Sequence, residues 1–402
     1  MLELEEAVGR ILSRVPPAEP ESVPLAQAHG RVLLEAVRAS IDLPPFDNSA
    51  MDGYAVRSED TANAQPDKPA LLRLTGRVAA GEAFSQEVSE GCCVRIFTGS
   101  ALPAGADCVV MQEDTRVAPG NPSEILVLEK ATPWENVRLR GEDVRAGTAV
   151  GLGGKVLNAG TLSVLAAVGV REVKVGRQPA VGLLATGSEL REQGKGLREG
   201  QIYESNRVGL SALIRCAGGR PVVLPIVADL LESTTQALTE ALARCDMVVT
   251  VGGASVGDLD LVKPALERVG ARLDFWKVAI RPGRPFVFGQ AGEKLLFGLP
   301  GNPVSALVTF LLLVRPALRR WQGAEATGLP GSHGILAEPL VNTGSRRHFV
   351  RVQMSGDGRV SRAGAQASHV LSSFAAAGGL VDVPADATLP AGTPVKVLFW
   401  EV

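Results

Sequence analysis

The order of apolar and polar positions divides the chain into stretches of different texture. Over residues 1–15 apolar side chains recur at helical spacing, with Leu2, Ala7, Val8, Ile11 and Leu12 on one side, and Pro16-Pro17 stops the run. Residues 22–36 continue as mixed, partly helical structure. The proline-rich, polar LPPFDNSAMDGY of residues 43–54 then predicts a loop at the entry to a new domain, its 47–54 portion being too polar for a strand. From residue 55 to about 137, short apolar runs (LLRLTGRV, CCVRIFTG, DCVVMQED, EILVLEK) separated by Gly and Pro predict a β-rich domain. A helical pattern over 158–170 returns the chain to the first domain, which is then discontinuous.

After residue 178 the texture alternates. Strand AVGLLAT (180–186), a helix over 206–217 closed by Gly218-Gly219, strand PVVLPIV, a helix over 232–244 and strand 247–251 come in turn. A helix over 262–269, strand LDFWKVAI and strand KLLFGLP follow, the last leading into an apolar helix over 304–320. Such alternation predicts a central α/β domain with a largely parallel sheet. Beyond a small-residue linker at 322–331, RHFVRVQM, GLVDVP and PVKVLFW predict a small C-terminal β domain. The expected architecture is multidomain α/β plus β: a discontinuous N-terminal domain (1–42 and 138–177), a β-rich insert (43–137), the α/β domain (178–326) and the C-terminal β domain (327–402).

Composition narrows the classes of function. Apolar residues make up 46% and charged residues 21%, which describes a globular chain. The net charge of −2 excludes the basic field of a general nucleic-acid binder, so any positive site is local. The longest apolar run, 304–314, is too short to span a bilayer, which argues against a membrane partner. The acidic, amphipathic start has no signal-peptide character, which predicts the cytoplasm. Five cysteines lack CxxC spacing, and Cys92 and Cys93 would face opposite sides of a strand, so buried thiols are expected rather than zinc ligands or disulfides. Four unclustered histidines leave carboxylates to carry the chemistry.

Candidate residues gather where strands of the α/β pattern end, the usual place for ligands in an open sheet. Gly252 and Gly253 admit close approach of a ligand to backbone, or make an ordinary strand-to-helix turn. Ser255 and the neighbouring amides suit phosphate oxygens, and Glu189, Asp258 and Asp260 suit Mg²⁺, a hard cation that takes oxygen ligands. Asp229 falls on the same rim, and helix capping explains any one of these acids equally well. Lys277, Arg281 and Arg284 concentrate positive charge in WKVAIRPGRP, fit for an oxyanion or simply solvated. Pro300 and Asn302 belong to a turn with Pro303 at the first helical position, or to a loop offering free N–H donors. Asp52, Thr98 and Asp143 mark polar loops between strands. Arg346, Arg347 and Arg351 around Phe349, with Ser368 to Ser373, add donors for anions or form a solvated edge.

In order along the chain, PPFDNSAMDGYAV, RIFTG, VRLRGED, TGSEL, VGGASVGDLD, WKVAIRPGRPFVFG and GLPGNPVSA resemble the molybdopterin molybdenumtransferase family of the MoeA type, which includes the E domain of gephyrin. The resemblance runs from near residue 1 to near residue 400. It implies an elongated homodimer of four-domain chains, the third domain like the molybdopterin adenylyltransferases, with a site shared between subunits. It also implies insertion of molybdate into adenylylated molybdopterin, with a divalent cation, release of AMP and no redox change. A molybdopterin adenylyltransferase would supply the substrate, and molybdoenzyme apoproteins or chaperones would receive the product. By motif position, Asp52, Thr98, Asp143, Glu189, Asp229 and Asp260 resemble the family's functional polar set. Lys277 and Arg281 resemble its cationic pair, and Arg346 and Ser368 its fourth-domain residues. The chain departs from the pattern at Arg281 and Arg284, where many members have lysine, and at His348, where an acid is common. An adenylyltransferase activity and a gephyrin-like binding scaffold are the competing expectations.

Overall fold

The computed structural model describes residues 1–252 and 261–400. They form two compact units, one comprising Met1–Glu35, Gly153–Leu157 and Val173–Val402, the other Ala36–Leu152 and Asn158–Glu172. Both units are discontinuous in sequence, but the helix near residue 158, expected to return the chain to the N-terminal domain, groups with Ala36–Leu152 in the second unit, and the chain rejoins the first unit at Val173.

The first unit is built on a six-stranded sheet. Its order is Arg220–Val223, Ala180–Ala185, Met247–Val251, Lys294–Leu299, Val287–Ala291, Arg272–Trp276. The first three pairings are parallel and the last two antiparallel. Every residue of Ala180–Ala185 and of Met247–Val251 is buried. Strands covered on both faces need apolar side chains in both directions, which is why these runs read as continuous rather than alternating. Met247, Val249 and Val251 pack with Leu210, Leu213 and Ile214 of helix Asn206–Cys216. Val248, between them, packs on the other face with Leu238 and Ala241 of helix Leu231–Arg244. Helix Asn206–Cys216 follows strand Ala180–Ala185 on the first face and helix Val262–Arg268 follows strand Met247–Val251 on the other, which opens a crevice at their carboxyl ends.

The apolar run after Pro303 forms Pro303–Thr309, a π turn over Phe310–Val314, and Arg315–Trp321, in place of one regular helix. Pro303 takes the first helical turn, where its missing N–H costs nothing. The expected single strand LDFWKVAI divides. Arg272–Trp276 stays in the α/β sheet, Lys277 turns the chain at φ +93°, and Ile280–Arg281 pairs in parallel with the start of Arg347–Met354. The C-terminal sheet runs Ile280–Arg281, Arg347–Met354, Arg359–Arg362, Gly331–Leu336, Pro394–Phe399, Gly379–Val383, and the pairing of Arg347–Met354 with Gly379–Val383 closes it into a small barrel. Near the N-terminus the helix spans Leu4–Leu12, with Leu4, Ala7 and Ile11 buried. Residues 22–36 are less helical than expected: strand Pro20–Pro24 leads into one 3₁₀ turn, Leu25–Gln27. Gly30, at φ +74°, breaks the helical backbone just beyond this turn.

The second unit carries a six-stranded sheet in the order Cys108–Met111, Gly53–Val56, Cys92–Ile96, Ala70–Val78, Glu124–Val127, Thr115–Val117. Cys92 and Cys93 enter separate apolar clusters, as their alternation requires. Burial pushes the Cys93 thiol up to about 12, so it is inert at neutral pH. Cys216, in the first unit, departs from the expectation of buried thiols and is exposed. The 47–54 stretch is not wholly loop. Asn48–Ser49 is buried and pairs with Val137–Arg138, and Gly53–Val56 is an interior strand. Polar residues enter these strands because no Cβ fits at Gly53 against the Val110 carbonyl, and because Ser49 Oγ donates to the Met51 carbonyl.

Candidate functional site

Two features meet at the carboxyl edge of the parallel strands in the first unit. Gly252 leaves strand Met247–Val251 at φ +91°, and a Cβ there would strike the Thr186 carbonyl, so the backbone passes this point only as glycine. Thr186 and Thr250 are buried with hydroxyls that find no hydrogen-bond partner among the described residues. Asn206 donates from Nδ2 to the Gly301 carbonyl at 2.9 Å, which ties the start of helix Asn206–Cys216 to the Pro300–Asn302 loop. Its Oδ1 is likewise unpartnered among the described residues. Sequence reasoning passed over Asn206 and Thr250; the available signal was a hydroxyl inside an otherwise apolar strand.

The rim acids differ in what they are free to do. Asp229 accepts from the Ser188 amide at 2.9 Å, and its own amide donates to Ser188 Oγ at 3.2 Å, so it clasps the turn after strand Ala180–Ala185. Glu189 is exposed and makes no side-chain hydrogen bond or ion pair among the described residues; Gly187 leaves space beneath its carboxylate, with Oε2 2.7 Å from where a Cβ would stand. Gly253, Ser255, Asp258 and Asp260 lie outside the described residues. Among the described residues no three His, Cys, Asp or Glu side chains converge as a metal site.

The cationic segment forms a cavity of about 420 Å³ with the C-terminal barrel, lined by Arg281, Arg284, Asn302, Ser305, Arg346 and Ser368 among others. Gly283, at φ +104°, lies so close to helix Pro303–Thr309 that a Cβ would run into the Thr309 methyl, which fixes Arg281 and Arg284 on either side of a closely packed turn. Arg346 donates to the Ile280 carbonyl at 3.0 Å. Burial, then Arg284 and Arg281, push its guanidinium below its ordinary pKa. None of the three arginines has a carboxylate in ion-pair range among the described residues. Three like charges converging on one cavity without counter-charge are a standing attraction for an anion. Lys277 is half-buried and does not line this cavity.

Neighbouring residues that looked similar in the sequence have other work. Arg347 donates to both Glu5 oxygens at 2.6 and 2.7 Å and to Asp382. Arg351 is fully buried; it donates to Ser373 Oγ at 2.9 Å and to the Ala365 and Ala367 carbonyls, so it holds the loop that carries Ser368. Arg347 is thus spoken for, whereas Arg351 keeps Nη1 without a partner among the described residues, although it does not line the cavity. The Val304 amide at the helix start is also taken, donating to the Ser368 carbonyl at 3.1 Å.

In the second unit, Asp52 and Thr98 come together. Asp52 Oδ1 accepts from both the amide and the hydroxyl of Thr98 at 2.8 Å, and these bonds hold the carboxyl below its ordinary pKa. Asp143 is exposed, its amide donating to the Leu43 carbonyl at 3.0 Å.

The first unit thus combines an α/β sheet whose parallel strands end at a glycine turn with a cavity lined by three arginines. Residues 2–169 match the model of the MoeA N-terminal region (domain I and II), 182–320 that of a probable molybdopterin binding domain, and 333–400 that of the MoeA C-terminal region (domain IV). The molybdopterin molybdenumtransferase of Haemophilus influenzae is 38% identical over 93% of this chain and 92% of its own length. That of Bacillus subtilis is 33% identical over 98% and 93%. The molybdopterin biosynthesis MoeA protein of Pyrococcus horikoshii superposes with a TM-score of 0.81 at 33% identity, covering all of both chains. The chain belongs to the molybdopterin molybdenumtransferase family.

Proposed function

We propose that this chain inserts molybdate into adenylylated molybdopterin and releases AMP. The observation that carries the reading is the cavity between Arg281, Arg284 and Arg346, whose charges have no carboxylate partner among the described residues. Molybdate is a tetrahedral oxyanion, and planar guanidinium forks match its oxygens. Arg281, Arg284 and Arg346 hold molybdate, with Asn302 and Ser368 as neutral donors and Lys277 balancing phosphate charge. The Gly252 turn, with Gly253, Ser255 and Pro300, leaves room for the pterin nucleotide. The two dithiolene thiols displace oxygen from molybdate, which leaves as water with the thiol protons, and a water molecule attacks the phosphoanhydride so that AMP departs from the pterin phosphate; the metal keeps its oxidation state.

Glu189 fits Mg²⁺ as a single free carboxylate, since this ion takes one or two protein carboxylates together with substrate phosphates. Asp258 and Asp260 complete the proposed set. When bound, Mg²⁺ offsets the phosphate charge. The chain's own contribution is to place the oxyanion against the nucleotide, which gains rate by proximity and preorganised charge. Asp229 holds the Ser188 turn, and Asp52, Thr98 and Asp143 serve the site from a second copy of the chain in a homodimer. The fourfold domain division, the cytoplasmic location and an adenylyltransferase as supplier belong to the same proposal, with apoproteins or chaperones as recipients. No described helix is long and apolar enough to cross a membrane.

The test is incubation of the purified protein with adenylylated molybdopterin and Mg²⁺, with and without molybdate. AMP release that depends on molybdate is expected. Release of pyrophosphate from ATP plus molybdopterin would assign adenylyl transfer instead, and no turnover with tight partner binding would assign a scaffold.

A further inference from the structure

His348 pairs with the cavity-lining Arg281 without lining the cavity itself, and none of the steps above uses it. It is 5% exposed, and neither Nδ1 nor Nε2 has a hydrogen-bond partner among the described residues. A buried imidazole with both nitrogens unsatisfied forfeits about 1–3 kcal/mol, so the position asks for an explanation. Its strand places it in register with Arg281, the two residues opposing each other in a parallel pair. On the other side it opposes Val383, and below it lies the apolar cluster of Val350, Val352 and Val381.

The charges around it are all of one sign. Arg281 acts from the paired strand, Arg351 from its own and Arg346 from the turn just before it; burial first, and then these three, push the imidazole down to about 4. Arg347 is committed to Glu5 and Asp382. Asp382, the one titratable residue of strand Gly379–Val383, is thereby occupied. With the cavity empty the imidazole is neutral at physiological pH. A dianion against the arginines cancels part of the field that keeps it so.

We propose that His348 is a positioning residue of the cavity, acting through Arg281, that takes up a proton from solvent when a tetrahedral dianion settles against Arg281, Arg284 and Arg346. Anion capture is then coupled to protonation, and release of the proton lowers the hold on the anion. The coupling rests on the oxyanion reading of the cavity. Its sign follows from linkage: a group protonated more fully in the bound state makes binding tighter as pH falls.

The test is calorimetric titration of the full chain with inorganic sulfate, a tetrahedral dianion, in buffers of different ionisation enthalpy. With one proton linked, sulfate affinity rises by up to about tenfold per pH unit as pH falls toward about 4, the value of the imidazole in the free cavity. His348→Gln should bind sulfate with no proton uptake and a flat pH profile. In the wild-type protein, the His348 imidazole resonance should move toward the protonated form on sulfate addition, a readout that does not require the variant to fold. Sulfate binding without proton uptake, or full uptake retained in His348→Gln, overturns the coupling and leaves the cavity reading standing. Failure of sulfate to bind, or binding undiminished in Arg281→Ala/Arg284→Ala, overturns the cavity reading itself.

Discussion

The first unit holds two arginine-lined recesses that treat charge in opposite ways. At the sheet edge, Arg207 is buried but fully answered: Nε donates to Glu204 at 2.9 Å, Nη2 to Glu192 at 2.8 Å and Nη1 to the Leu224 carbonyl at 2.6 Å. Arg281, Arg284 and Arg346 have no such carboxylates among the described residues. Both recesses are hollows of several hundred Å³, about 550 and 420 Å³. Size therefore does not separate them. What separates them is compensation: paired charge spends its field on the fold, and unpaired charge keeps it for a ligand.

Breaking the paired recess should have the largest effect. Glu204→Ala removes the buried acceptor of both the Arg207 amide and Nε, leaving Glu192 and the Leu224 carbonyl in place, at a cost of about 3 kcal/mol; urea unfolding should show it as a lowered midpoint. Removing the unpaired charges should leave stability alone. Arg281→Ala/Arg284→Ala should shift unfolding by no more than about 0.5 kcal/mol, yet weaken molybdate binding roughly 100-fold, the loss of two charge-assisted contacts. Equal losses of stability in both variants would erase the distinction. A smaller effect is expected at Gly283, where Ala meets both a φ of +104° and the Thr309 methyl. Gly283→Ala should cost about 1–3 kcal/mol, with a modest fall in molybdate affinity as Arg281 and Arg284 shift apart.

How much of this the sequence discloses depends on whether an interaction is local. Strands 180–185 and 247–251 are legible because burial on both faces demands an unbroken apolar run. Strand Val287–Ala291 is not, since it follows directly on the RPGRP turn and ends in Gly-Gln-Ala. The two-residue pairing of Ile280–Arg281 with Arg347 and His348 joins segments far apart in the chain, and no periodicity reports it. That pairing is what brings Arg346 to Arg281 and Arg284. The motif WKVAIRPGRP shows that charge is concentrated, but not that it is uncompensated. Arg346 and Arg347 are adjacent and identical in type, yet one lines the cavity from the turn before the strand and the other, the first residue of strand Arg347–Met354, is bound to Glu5 and Asp382. The rim carboxylates show the same limit: Glu189 and Asp229 read alike, and only the Ser188 clasp distinguishes them.

The central claim is that the uncompensated arginines receive the oxyanion. Molybdate soaked into crystals of the protein, located by anomalous scattering at the molybdenum absorption edge, tests it most directly. A molybdenum peak among the side chains of Arg281, Arg284 and Arg346, absent from Arg281→Ala/Arg284→Ala, is the predicted result. A peak confined to the recess at Arg207 and Ser211, or one that persists in the double variant, would contradict it.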